Sequence, residues 1–360
     1  MKEIEYKVPE NCPDESKKIF FRLLNTIEKE PEIKIIQNVF VSYEGLVLKN
    51  GFLIDKCAFN LKGKEDYTFY TSFWKLTLEQ YLVSKFGKSL PSIHLKKPNS
   101  YLLIHTKWFN YSFWITSSLV RLFQAYKEGH LNNVKLLIPE SYKRFHFVEE
   151  SLSLFPVEKY FIPKGVHLFV DNLVLPETRK WSAKFYAPNM RKTSNFIVGE
   201  VSKDYISNSN LKIYISRAKR GVRSIINEVE LVNYLKQKEF QIIYAEKLSF
   251  KEQVQLMQKT KLLLAPHGAG LANIMFLKKG NHVIEMIDED FAKFKNPMPF
   301  WNLANAMGVK YEAFFTKTSL ENKLKRTKES DEEWRMKLVN TPMQIDIKKL
   351  DKLINKIEII

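Results

Sequence analysis

A chain of 360 residues with 45% hydrophobic and 13% aromatic content has material for two packed domains, and its 27% charged residues exclude wholesale disorder. Two cysteines, Cys12 and Cys57, exclude a disulfide framework and a cysteine-rich zinc site, and they fit a reducing cytoplasm. The net charge of +17 suits nucleic acid, an anionic membrane surface or a phosphorylated small molecule, and base-composition bias also accounts for lysine excess; the lysines are spread from end to end, which favours a generally cationic surface over a nucleic-acid stripe.

Met1-Lys-Glu-Ile-Glu-Tyr-Lys7 lacks the apolar run of a secretory signal, and no run of about 18 apolar residues offers a membrane span. The expected setting is the cytoplasm, with peripheral contact at the inner face of an anionic membrane as a further expectation.

In chain order, Val39 to Leu48 alternates as a strand and meets Phe52-Leu-Ile54 across Asn50-Gly51, which predicts a β-hairpin near 39–54. Tyr101–His105 reads as a buried strand, Tyr111–Lys127 as a helix, Lys135–Ile138 as a strand closed by Pro139, and Val166–Leu175 as another. Strands separated by helical segments imply a largely parallel sheet. The polar stretch from Ala183 to Asn210 places a domain junction, giving an N-terminal α/β domain over 1–185 and a second over 186–340. Ile345 to Ile357 is an amphipathic helix in a C-terminal segment, 341–360.

The second half alternates clearly. Leu211–Ser216 is a strand, Arg217 to Ile226 a basic loop, and Asn227 with Glu230 a capping-box pattern at a helix start. Gln241–Tyr244 is a strand, and Ser249 with Glu252 a second capping box. Lys261–Ala265, Ala269–Phe276 and His282–Ile287 complete a doubly wound half-fold.

Ligands of such sheets bind beyond the carboxyl ends of the strands, where two loops stand out. His267-Gly-Ala-Gly270 leads from a strand into a helix, so its backbone can approach a pyrophosphate and its free amides favour the anion. It is neither a Walker loop nor a complete dinucleotide fingerprint. Arg217, Lys219, Arg220 and Arg223 share the other loop, and guanidinium forks match phosphate oxygens. Each loop alone also reads as an ordinary turn; their convergence on one sheet edge predicts an anionic ligand. Asp288-Glu-Asp290 has the form of a metal-binding DxD triplet, but its place after the last strand reads as a solvated acidic turn.

Tyr214-Ile-Ser-Arg217, Arg223, Asn227-Glu228, Pro266-His-Gly-Ala-Gly-Leu-Ala-Asn273, Ile284-Glu285 and Trp301–Tyr311 together resemble glycosyltransferase family 61, over about residues 211 to 312. Bacterial members are often labelled capsular polysaccharide biosynthesis proteins. The resemblance implies a GT-B-like α/β fold, with two Rossmann-like domains facing across a cleft. It implies inverting transfer from a nucleotide sugar, a UDP-sugar, to a glycan or lipid-linked glycan in surface polysaccharide synthesis. The nucleotide sugar would be a co-substrate, with no cofactor and no divalent metal. On that basis Arg217, Lys219 and Arg223 are assigned to the pyrophosphate, and Gly268, Ala269, Gly270 and Leu271 supply amides. Asn273 joins them on the donor side as a brace of the loop, and Glu285 meets the ribose or the donor sugar. His267 is the candidate base, with His105 and Glu150 as alternatives.

Asn110, Trp114 and Arg121 form the acceptor side, in a segment similar to the family's Asn-Tyr-x-His-Trp motif. Phe113 stands at the histidine position and Ser117 near an expected acid, and neither can do acid–base work. Two other classes compete: an inactive relative serving as a binding subunit of a glycan-assembly complex, and a nucleic-acid binder. No nucleic-acid reader module is present to support the latter.

Overall fold

The computed structural model describes residues 9, 17–18, 20, 30–50, 52–54, 57, 92–106, 108–178, 184–202, 210–218, 223–293, 298–316, 328 and 330–359. The chain divides into two units, one of residues 29–197 and one of residues 1–28 with 198–360; the division falls within the helix Ala187–Val201.

Among the described residues, the first unit is built on an eight-stranded mixed sheet. Its strands are β1 (Ile33–Val41), β2 (Val47–Lys49), β3 (Phe52–Leu53), β4 (Ser92–Leu95), β5 (Ser100–Leu103), β6 (Val134–Pro139), β7 (Glu158–Ile162) and β8 (His167–Pro176). The order is β3-β2-β1-β8-β5-β6-β7, with β4 also beside β8. Strands β4 to β8 pair in parallel, whereas β1, β2 and β3 add an antiparallel ribbon.

The expected hairpin is present in shortened form. Asn50 takes a positive φ of 51° between β2 and β3, as an Asn-Gly turn requires. The alternation from Val39 to Leu48 is not one strand, however. It breaks at Ser42–Gly45, where the Ser42 hydroxyl accepts the Leu46 N–H at 3.1 Å and Gly45 turns with φ 86°. Gly45 is required there for a second reason: an added Cβ would stand 2.6 Å from the His105 carbonyl oxygen.

The segment read as one helix over Tyr111–Lys127 has three parts. A short turn of helix, Tyr111–Phe113, gives way to a wide turn at Trp114–Ser118, where the Leu119 N–H reaches back five residues to Trp114, and then to the helix Leu119–Lys127.

The second unit carries five parallel strands: β9 (Leu211–Ile215), β10 (Phe240–Ile243), β11 (Thr260–Pro266), β12 (His282–Asp288) and β13 (Lys310–Thr316). Their order is β10-β9-β11-β12-β13. The chain winds outward from β9 to β10, then returns across β9 to β11 and continues the other way. Strand order therefore reverses between β9 and β11, the place where a crevice opens at the carboxyl edge of an open parallel sheet.

Both faces of this sheet are covered, so its strands are apolar runs rather than alternations. Tyr214, Leu264, Ile284 and Met286 pack with Leu231, Leu235, Leu350 and Ile354 in one core. The helix Ile347–Ile359 thus packs its apolar face onto this unit's core. Phe20, fully buried, meets Trp301 edge to face with ring centroids 5.1 Å apart.

Candidate functional site

The loops after β9 and β11 flank the reversal of strand order, and the residues on them meet. Ser216, at the end of β9, donates to Glu228 at 2.5 Å and accepts the Ala218 N–H at 3.2 Å. Tyr214 donates to the same Glu228 oxygen at 3.0 Å. Burial and the neighbouring carboxylate hold the Tyr214 hydroxyl well above the usual phenol range. This small network fixes the direction in which the chain leaves the strand, and so places Arg217.

Arg217 and Arg223 converge on Gly268. A Cβ at Gly268 would overlap the Arg217 guanidinium, standing 3.0 Å from Cζ, and would lie 3.4 Å from Nη1 of Arg223. The backbone at Gly268 is extended, with φ 161° and ψ 177°, so the glycine is needed for close approach and not for a turn. Arg223 also donates to the His267 carbonyl at 3.4 Å, and its own backbone is left-handed with φ 57°. Gly270 serves a different purpose. An added Cβ there would stand 3.3 Å from Ile215, so its absence lets the helix start pack on β9.

The loop opens a tight helix, Ala269–Phe276. Leu271 N–H bonds to the Gly268 carbonyl at 3.0 Å, which withdraws it from the set of amide donors expected for a phosphate. The amides of Ala269 and Gly270 precede the first intrahelical bond, as the first donors of a helix start do, and Gly268 stands before them as the N-cap with an extended backbone. Asn273 is buried and donates to Gln253 at 2.9 Å, bracing the loop against the helix Phe250–Lys259. Its role is structural. Lys219 lies outside the described residues.

His267 N–H continues the ladder past Pro266 by bonding to Met286 at 2.8 Å. Its ring Nδ1 is hydrogen-bonded to the Glu285 carboxylate, and Phe291 and Phe300 flank the ring with centroids 5.1 and 5.3 Å away. Glu285 is fully buried, and its second oxygen accepts the Tyr311 hydroxyl at 2.6 Å. Both oxygens face protein groups, so the expected direct contact of Glu285 with a sugar or ribose gives way to contact with His267. Local sequence could not reveal this, because Tyr311 comes from the next strand over.

The first unit corrects several expectations. Trp114 is fully buried, its indole donating to Ser151 at 2.8 Å. Arg121 is 3% exposed and donates to the carbonyls of Leu103, Ile104 and Pro176 at 3.0, 2.6 and 2.9 Å. Burial lowers its pKa to about 10. Both are interior organisers that cannot present polar groups to an acceptor. Asn110 is exposed, but its side chain caps the helix start by accepting the Phe113 N–H at 3.0 Å.

Phe113 stacks on Trp108, and Ser117 is buried in the wide helical turn. His105 is buried between the Leu137 and Tyr43 carbonyls, each 3.2 Å from a ring nitrogen. Burial, with a contribution from Arg121, lowers its pKa to about 4. With both ring nitrogens facing carbonyls in the interior, it is placed as a structural histidine. Glu150 is half-buried on the helix His146–Leu152.

Two features read as local signals turn out differently. Asn227 does not cap its helix: its side chain donates to the Ile345 carbonyl at 2.9 Å and accepts the Ile345 N–H at 3.0 Å. Asp288 is buried at the end of β12 and accepts the Phe291 N–H at 3.0 Å, a helix-capping bond.

With that geometry in place, comparison with known proteins is informative. Residues 111–284 match the family described as Glycosyltransferase 61. That range runs from the Tyr111 turn to the middle of β12 and includes the arginine loop and His267-Gly-Ala-Gly270. The chain is also 25% identical, over 210 residues, to the EGF domain-specific O-linked N-acetylglucosamine transferase of Drosophila melanogaster. The alignment covers 53% of this chain and 39% of that protein, so the chain spans about two fifths of the relative's length. Together the two matches support a likeness to glycosyltransferase family 61. Among the described residues, no helix is long and apolar enough to cross a membrane.

Proposed function

We propose that this chain is an inverting glycosyltransferase that binds the diphosphate of a UDP-sugar between the arginine loop and the start of the helix Ala269–Phe276. The observation that carries the reading is the seating of the Arg217 guanidinium on Gly268, with Arg223 beside it, where strand order reverses. Two fixed cations and the amides of a helix start are the arrangement that a departing nucleoside diphosphate requires.

In the reaction His267 takes the proton from the acceptor hydroxyl as its oxygen attacks the anomeric carbon. The bond from that carbon to the diphosphate breaks on the opposite face, and UDP leaves with the bonding electron pair. Arg217 and Arg223 neutralise the charge that develops on the leaving group, and the amides of Gly268, Ala269 and Gly270 add oriented dipoles. The acceptor is proposed to be a glycan or lipid-linked glycan of surface polysaccharide synthesis, used at the cytoplasmic face of an anionic membrane and without a divalent metal.

Thermal-shift and calorimetric titration with UDP and a panel of nucleotide sugars test the reading. UDP-N-acetylglucosamine comes first, because the similar fly protein is named for that sugar. A ligand of the folded state raises the melting temperature. Arg217→Ala is expected to weaken UDP binding by roughly tenfold to a hundredfold, the loss of one charge-assisted contact, at unchanged melting temperature. Unaltered UDP affinity in that variant would refute the phosphate assignment. UDP binding without turnover on any acceptor would favour a binding subunit of a glycan-assembly complex, a reading that Phe113 and Ser117 also permit.

A further inference from the structure

Three strands bring His267, Glu285 and Tyr311 to one face of the second sheet. Ala265 lies opposite Glu285 in the β11–β12 pair, and Ala313 opposite Glu285 in the β12–β13 pair. His267 is two residues after Ala265, and Tyr311 two before Ala313. Side chains two apart on a strand point the same way, so all three residues share a face as diagonal neighbours. The contacts follow: Glu285 touches His267 Nδ1 through one oxygen and the Tyr311 hydroxyl, at 2.6 Å, through the other.

Glu285 is wholly buried, while the His267 side chain keeps 13% of its surface exposed. An ionised carboxylate only accepts hydrogen bonds, so the nitrogen facing it must carry the proton. Among the described residues, the charged groups on the elements around the ring include Arg223, which donates to the His267 carbonyl, Arg217 over Gly268, and Asp288 at the end of β12, turned to the Phe291 amide. The helices packed against the ring present Phe291 and Phe300 to it.

We infer that Glu285, seated by Tyr311, is a positioning residue that holds His267 as the Nδ1–H tautomer and leaves Nε2 as the proton acceptor. The inference rests on the reading of His267 as the base. It assigns Glu285 to the orientation of the base and not to the sugar. Tyr311 keeps the carboxylate from rotating away from the ring.

The test uses the full chain with nitrogen-labelled histidine rings, followed by NMR at neutral pH, with His267→Asn identifying the His267 signals. The wild type is expected to show a protonated Nδ1 and a bare Nε2. In Glu285→Gln the side-chain amide faces the ring as a donor, so the proton moves to Nε2. UDP release from UDP-N-acetylglucosamine should then fall by roughly a thousandfold or more, the scale of a wrong-tautomer lesion, with UDP affinity unchanged. Glu285→Asp, which keeps an acceptor-only group, restores the Nδ1–H form and part of the rate. Tyr311→Phe retains the tautomer and loses roughly tenfold in rate.

A wild-type ring protonated at Nε2, or a Gln variant with the wild-type nitrogen pattern or full rate, overturns the inference. If the Gln variant does not fold, the wild-type nitrogen pattern decides alone. Absence of UDP release from every nucleotide sugar in the wild type would count against sugar transfer itself, and the nitrogen pattern would still decide the positioning.

Discussion

Gly268→Ala isolates the close approach on which the proposed donor site depends. The backbone there is extended, a conformation any residue adopts, so the substitution introduces no backbone strain. The new methyl would overlap the end of Arg217, 3.0 Å from its Cζ, and press on Arg223 Nη1 at 3.4 Å. To restore ordinary contact the Arg217 guanidinium must move by about 1 Å, which a flexible side chain does cheaply but which takes the fork off its phosphate oxygens. One charge-assisted hydrogen bond is worth about 1.5–3 kcal/mol, so UDP affinity should drop by roughly tenfold to a hundredfold. Isothermal calorimetry with UDP reads the affinity, and a melting curve without ligand checks the fold. Gly270→Ala is the control: its Cβ would crowd Ile215 at 3.3 Å, so the cost of about 1–3 kcal/mol falls on stability while UDP affinity holds. UDP affinity within twofold of wild type in a folded Gly268→Ala variant would refute the reasoning.

Three other outcomes are expected. Arg121→Lys cannot reproduce three donations to Leu103, Ile104 and Pro176, and it should cost about 3 kcal/mol or more in urea denaturation; a loss below about 1 kcal/mol would contradict the bracing role. Asn227→Ala removes both bonds to Ile345 and should lower stability by about 1–3 kcal/mol while also weakening UDP binding through Arg223; equal UDP affinity would separate the two loops. His105 has a pKa of about 4 when folded against an ordinary value of 6.5, so the unfolded chain binds more protons between those values and stability falls as pH drops through that window. About 2 kcal/mol should be lost between pH 7 and pH 5, and a His105→Gln variant should lack that component in paired urea titrations.

The second sheet was legible because its strands are continuous apolar runs separated by helical periods, a pattern set by local burial. The converging loops were legible too, since strand–loop–helix connections alternate edges predictably. What escaped was set by partners far along the chain. Asn227 with Glu230 has the form of a capping box, yet its side chain is claimed by Ile345, 118 residues on. Trp114 and Arg121 were assigned to the acceptor side because no local feature tells an interior guanidinium tied to three carbonyls from a ligand-facing one. Glu285 looked like a sugar ligand because its partners arrive through the parallel registers of β11 and β13. The alternation through Val39–Leu48 concealed a break that only Gly45, fitted against the His105 carbonyl, explains.

The clasp between Ser224–Asn227 and Met343–Ile345 has a temporal meaning. Met343 N–H bonds to Ser224, Ile226 N–H to Met343, and Asn227 grips Ile345 with both ends of its amide. These bonds follow immediately after Arg223, whose backbone is left-handed. During synthesis the arginine loop emerges long before its clasp, so it stays unfinished until the helix Ile347–Ile359 docks. The proposed anion site is therefore completed only after Met343–Ile345 have been made, and a chain cut short after Asn340 would keep every proposed ligand-binding side chain yet lack the frame that aims them.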